Sequence, residues 1–202
     1  PKEENNDVAN VSFVNGEIQM SFPDPKPSGV AVFARGGWQW IILSRPVGLS
    51  ALEKKKNLKS LSIQSSQNGQ IIRFELPKHR TATAWHEKGS WHIHWVKSPP
   101  ESKKVLEEWN DKTGLHWTIP GSSPAFQITD PLLGDSLWII TTSDPTVSVP
   151  QTRQFALFSL EPTTLGLVVS SFQQNLPLTQ DGDKVTLAAM GDRSSLSKDK
   201  QD

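Results

Sequence analysis

Two histidines two residues apart, His92 and His94, follow Glu87 in the stretch Trp85-His-Glu-Lys-Gly-Ser-Trp-His-Ile-His-Trp95. Alternate residues of a strand share a face, so a strand here turns both imidazoles the same way. A hairpin with Gly89-Ser90 as its loop sets Lys88 opposite Trp91, Glu87 opposite His92, His86 opposite Ile93 and Trp85 opposite His94. His92, His94 and Glu87 then make a His-x-His strand with a neighbouring carboxylate. That is part of a zinc site such as a metal-dependent hydrolase uses, still short of a further ligand. The same logic pairs Arg35 with Trp38 across Gly36-Gly37, and Lys88 with Trp91. A cation over an indole either tidies a hairpin end or marks an aromatic patch that stacks on sugars or on a partner. Arg35, Trp38, Lys88 and Trp91 are therefore the candidate binding residues.

Other motifs lack the partners their chemistry needs. Gly134-Asp135-Ser136-Leu137 spells the nucleophile block of the GDSL esterases, in which a histidine takes the serine proton. That histidine belongs to a C-terminal Asp-x-x-His block, whereas the last histidine here, His116, precedes the serine. The surrounding pattern reads as a hairpin of Phe126–Thr129 and Leu137–Thr142, not as the start of an α/β sheet. Asp181-Gly182-Asp183 is too short an acidic run for calcium and reads as a turn. There is no Gly-x-Gly-x-x-Gly, phosphate loop or Gly-x-Ser-x-Gly. The absence of cysteine excludes thiolate catalysis, cysteine zinc sites and iron–sulfur clusters. No catalytic residue and no cofactor is expected.

The elements that must carry these residues are strands. Six turn signals, Asn15-Gly16, Gly36-Gly37, Asn68-Gly69, Gly89-Ser90, Gly134-Asp135 and Asp181-Gly182, separate short apolar or alternating runs. Ala31–Leu43 can be laid over Ala84–Val96, each with a cation, a two-residue turn, a Trp and an apolar strand, as in a duplicated unit or in any well-made hairpin. Helix signals are few. Ser50 can cap a short helix through Leu58, and Glu101–Asn110 follows Pro99-Pro100. Lys54-Lys55-Lys56 reads as a solvated helix face. The predicted class is all-β: two hairpin-rich, sandwich-like units with one or two short helices. The expected organisation is a mobile tail over 1–10, a first β unit over 11–97, a linker with a short helix over 98–121, a second β unit over 122–190 and a mobile tail over 191–202.

Composition narrows the partners. The 202 residues balance 21 Lys and Arg against 21 Asp and Glu, so the basic excess of a nucleic-acid binder is missing. No apolar run approaches 18 residues, so no membrane insertion is expected. The chain starts at Pro1, as a processed protein or an excised piece does. Its eight Trp and eight Phe stand beside no Tyr, and most of the eight indoles are expected in the core.

One resemblance adds to this reading. Gly29–Leu43 with Arg45-Pro46, then Ile128–Ile140 and Phe155–Val169, resemble the β-rich N-terminal region of large alphaproteobacterial envelope proteins. There a DP-x-x-GD-x-L block and an L-x-PT-x-x-G block precede a long tetratricopeptide array. Asp130-Pro131, Gly134-Asp135 and Leu137 match the first block, and Leu160, Pro162-Thr163 and Gly166 match the second. The first half also resembles the AMIN type of envelope-targeting module. The resemblance covers roughly residues 11 to 190 and implies an exported, periplasmic, non-catalytic binding or scaffolding module. Its partner would be another envelope protein; the alternative is recognition of cell-wall glycan (peptidoglycan) by a platform of exposed Trp, at Trp38, Trp91 and the 85–94 hairpin. No 34-residue helical repeat is present in this chain.

Overall fold

The computed structural model describes residues 8–66, 68–75, 78–100 and 106–189. Of the expected tails over 1–10 and 191–202, residues 1–7 and the whole of the second lie outside the described residues, whereas Ala9 is buried and Asn10 opens the first strand. The first half runs β1 (Asn10–Val14), β2 (Glu17–Pro23), β3 (Val30–Arg35), β4 (Trp38–Leu43), α1 (Ser50–Glu53), β5 (Ser62–Ser66), β6 (Gly69–Glu75), β7 (Thr81–Glu87) and β8 (Ser90–Val96). The second runs β9 (Glu107–Asp111), β10 (Gly114–Thr118), β11 (Phe126–Thr129), β12 (Ser136–Ile140), β13 (Arg153–Gln154), β14 (Ser159–Leu160), β15 (Leu167–Ser171), β16 (Leu178–Asp181) and β17 (Lys184–Ala188). The protein is all-β, with four antiparallel sheets of order β1-β2-β8-β7, β3-β4-β6-β5, β11-β12-β15-β14-β13 and β9-β10-β17-β16.

Three apolar clusters show how the sheets stack. Val11, Met20, Phe22, Trp91, Ile93 and Trp95 of the first sheet pack on Val30, Val32, Ile41, Ile72 and Phe74 of the second. The other face of the second sheet (Ala31, Phe33, Trp40 and Ile42) packs on Phe126, Leu137, Ile139 and Val168 of the third. The far face of that third sheet (Trp138, Ile140, Leu160, Leu167 and Val169) packs on Leu115, Trp117, Val185 and Leu187 of the fourth. Four layers result, and the two inner sheets are covered on both sides. Strands buried on both faces read as near-continuous apolar runs, as do β12 (SLWII), buried throughout, and β4 (WQWIIL), buried from its second residue on, where Gln39 is satisfied by its bond to Phe33 O. Outer strands keep the alternation of a half-buried ribbon, as β2 and β8 do.

The two halves repeat one plan. Each lays down an outer hairpin, an inner hairpin, inner strands again and an outer hairpin. The pairs Val14↔Glu17 and Ile41↔Ile72, advanced by 97 residues, become the observed Asp111↔Gly114 and Trp138↔Val169. The overlay of Ala31–Leu43 on Ala84–Val96 does not hold as a repeat. Those hairpins lie in different sheets, and their turns, Gly36-Gly37 and Lys88-Gly89, are out of step by one residue.

Three local expectations are corrected. Glu107–Asn110 is strand, not helix, because Trp109 and Glu108 pair with His116 and Trp117; residues 101–105 lie outside the described residues. Helix α1 is a single turn capped at Leu49, without a side-chain cap bond from Ser50. The hairpin loop in the His-rich stretch is Lys88-Gly89, both at positive φ, so Glu87 faces Ser90, His86 faces Trp91, Trp85 faces His92 and Thr83 faces His94.

Candidate functional site

The outer face of the first sheet carries the His-rich stretch. Trp85 stands half-buried between two imidazoles, stacked on His92 with ring centroids 5.3 Å apart and 15° between planes, and edge-on to His94 at 4.5 Å. Gln19 lies opposite His94 and Ser21 opposite His92 on β2. Burial holds the His94 pKa below its ordinary 6.5, the neighbouring His92 pushes the same way, and Glu17 opposes both. The one-residue shift of the turn keeps Glu87 on this face but moves it away from direct pairing with His92. The His92 and His94 rings sit 6.5 Å apart and roughly perpendicular. Among the described residues, no group of three His, Asp or Glu is placed to hold a metal ion. His92, His94 and Glu87 are thus not gathered into a metal centre.

The cross-turn cation pairs divide. Arg35 does pair with Trp38 in register, but its guanidinium is turned into the joint between the halves. Nη1 donates to Asp130 Oδ2 at 2.5 Å and Asp135 Oδ1 at 2.7 Å, Nη2 bonds Asp135 Oδ2, and Glu161 lies 3.8 Å away. Burial works against the charge of Arg35, yet the Asp135 bonds and the fields of Asp135 and Glu161 outweigh it and raise the pKa above its ordinary value. The cation over Trp38 is instead Arg73, 5.9 Å from its ring and 4.8 Å from that of Trp40. Lys88 and Trp91 do not pair. Lys88 occupies the turn, and Trp91 is fully buried in the first core, so it offers no surface to a ligand. The indoles with exposed area, Trp38, Trp85 and Trp109, belong to three different sheets and form no shared platform.

Ser136, within the GDSL tetrapeptide, is buried in β12 opposite Ser171 and Thr129. Asp135 beside it is held by Arg35, so the tetrapeptide closes a loop and does not present a nucleophile.

Two features escaped the sequence reading. The outer face of the fourth sheet holds a polar row around the buried His116. His116 Nδ1 lies 2.9 Å from Thr186 Oγ1, its Nε2 lies 2.9 Å from both Asp111 Oδ1 and Thr113 Oγ1, and Trp109 stacks on the ring at 5.2 Å and 16°. Hydrogen bonds from Thr113 and His116 hold the Asp111 carboxyl well below the usual carboxylate range. A signal was present. Trp85-x-Glu-Lys-x-Ser-x-His92 recurs 24 residues on as Trp109-x-Asp-Lys-x-Gly-x-His116, and both place Trp directly opposite His.

The second feature is apolar and exposed. Register puts Ser136 opposite Ser171, so the loop Asp130–Asp135 and Phe172 meet at one end of the third sheet. Phe172 is 83% exposed, Leu132 54% and Leu133 50%. A hollow of 290 Å³ beside Phe172 is lined also by Asp135, Phe155 and Leu157. Phe155 is stacked on Phe158 at 4.4 Å, which fixes one wall. Compared with protein-family models, curated proteins and solved structures, the chain matches none.

Proposed function

We propose that this protein is a non-catalytic binding and scaffolding module of the bacterial cell envelope that acts through protein–protein contacts. The observation that carries the reading is the apolar end of the third sheet. An apolar group left in water forfeits roughly 25 cal/mol per Å², and Phe172, Leu132 and Leu133 each leave half or more of their area in water towards that end. The Arg35–Asp130–Asp135 cluster beneath holds the Asp130–Asp135 loop in place through Asp130 and Asp135. A rigid apolar anchor beside a hollow is the form of a protein contact site. The envelope setting rests on the matching blocks at Asp130–Leu137 and Leu160–Gly166.

Photo-crosslinking in cells of the native organism tests this. A benzophenone amino acid at position 172 or 133 should give one discrete adduct with an envelope protein, and one at position 184 on the fourth sheet should not. Equal labelling from all three positions, or none from 172 and 133, would contradict the proposal.

A further inference from the structure

The plan shared by the two halves breaks at one edge. Advanced by 97 residues, the pairs Ser62↔Arg73 and Ile63↔Ile72 of β5 and β6 become the observed Ser159↔Ser170 and Leu160↔Val169 of β14 and β15. β5 and β14 therefore hold the same place in the two inner sheets. In the second half, β14 carries a further antiparallel strand on its far side, β13, through Arg153↔Leu160 and Gln154↔Ser159. The first half has no such strand among the described residues. The residues that correspond to Arg153-Gln154 are Lys56-Asn57, and they form a turn.

β5 is accordingly an open edge. Its one strand neighbour among the described residues is β6, and no backbone bond from a turn or loop reaches Ser62–Ser66. Gln64, Ser65 and Ser66 are exposed. The opposite edge of the same sheet, β3, is bridged to Thr142 and Leu165. Edge strands in water normally carry charge, proline or a bulge, which deter a further strand. The edge strand β9 follows that rule with Glu107, Glu108 and Asp111. β5 (SIQSS) carries no charge and no proline, and it pairs with β6 in unbroken register. A bare, regular, neutral edge is a template for strand addition.

We infer that β5 of a second copy takes the place that β13 fills in the second half, in a two-fold dimer that joins two inner sheets into one. β13 shows the direction required, antiparallel, and a two-fold axis beside β5 supplies an antiparallel β5. An axis at mid-strand sets Gln64 opposite Gln64 of the second copy, Ile63 opposite Ser65 and Ser62 opposite Ser66. Neutral side chains then face neutral ones, so the strand meets itself without like-charge repulsion, and the two Gln64 amides can bond each other. The balance of 21 basic and 21 acidic residues adds no net repulsion between copies. This edge and the exposed Phe172 end belong to different sheets, so either contact can fail without the other.

Sedimentation equilibrium of the full chain across a range of concentrations tests the inference and should show a monomer–dimer equilibrium. Gln64→Lys and Gln64→Glu each set like charges face to face at the axis and should weaken the dimer roughly fivefold. Mixed in equal amounts, the two variants should associate at least as tightly as the parent chain, which misfolded variants could not do. A monomer at every concentration, which would leave the edge to a strand of another protein, overturns the proposal. So does a dimer indifferent to charge at position 64, or one abolished by Phe172→Ser while both Gln64 variants stay dimeric.

Discussion

At the residue scale, the two Trp–His pairs show how neighbours set the chemistry of one side chain type. His116 is enclosed and bonded at both nitrogens, whereas His92 and His94 remain partly open on an outer face. His94 should therefore titrate below the ordinary 6.5, which the histidine Cε1–H shift in NMR can follow. Glu17→Gln should lower its midpoint further, because Glu17 is the group that favours the charged ring. His92→Gln should raise it, because a like charge is removed. The sign for stability follows. Above pH 6.5 neither folded nor unfolded His94 holds the proton. As pH falls through 6.5 the unfolded chain takes it first, so this residue's contribution to folding is lost toward acid. A midpoint above 6.5, or one indifferent to Glu17, would contradict the described face.

At the element scale, the strands were largely legible because turn chemistry and alternation are local. Asn15-Gly16 and Gly36-Gly37 form two-residue loops with positive φ at both positions. The alternation of β8 announced its inner Trp91, Ile93 and Trp95 and its outer His92 and His94. Register was less legible, since Lys88-Gly89 and Gly89-Ser90 are both credible loops and a one-residue slip repositions every pair. The β9–β10 turn was missed because Lys112-Thr113 contains no glycine, and the charges of Glu107–Asp111 mimic a helix face. Glycines that allow close strand approach carry a separate prediction. Gly69 and Gly166 both sit at positive φ, and a Cβ there would run into Leu43 O and Ile140 O of the neighbouring strand. Gly69→Ala should destabilise the protein by about 1–3 kcal/mol in urea titration, and no loss would mean that β4 and β6 approach less closely than described.

At the scale of the whole molecule, the sequence left open whether the halves form one body, because their shared surface comes from strands with no periodic signature. Ala31, Phe33, Trp40 and Ile42 lie against Phe126, Leu137, Ile139 and Val168. Backbone bonds join Val30 to Thr142 and Val32 to Leu165, and Arg35 ties β3 to the loop before β12. The apolar end stays rigid through the same Arg35 cluster. That end draws on residues far apart in sequence, which is why it could not be read from motifs. Native-state hydrogen exchange under rising denaturant tests this union directly. Amides of Ile41 and Ile42 in the first half and of Trp138 and Ile139 in the second should open with one common free energy and one denaturant dependence. Two separate isotherms, one for each half, would contradict a single body built on a shared core.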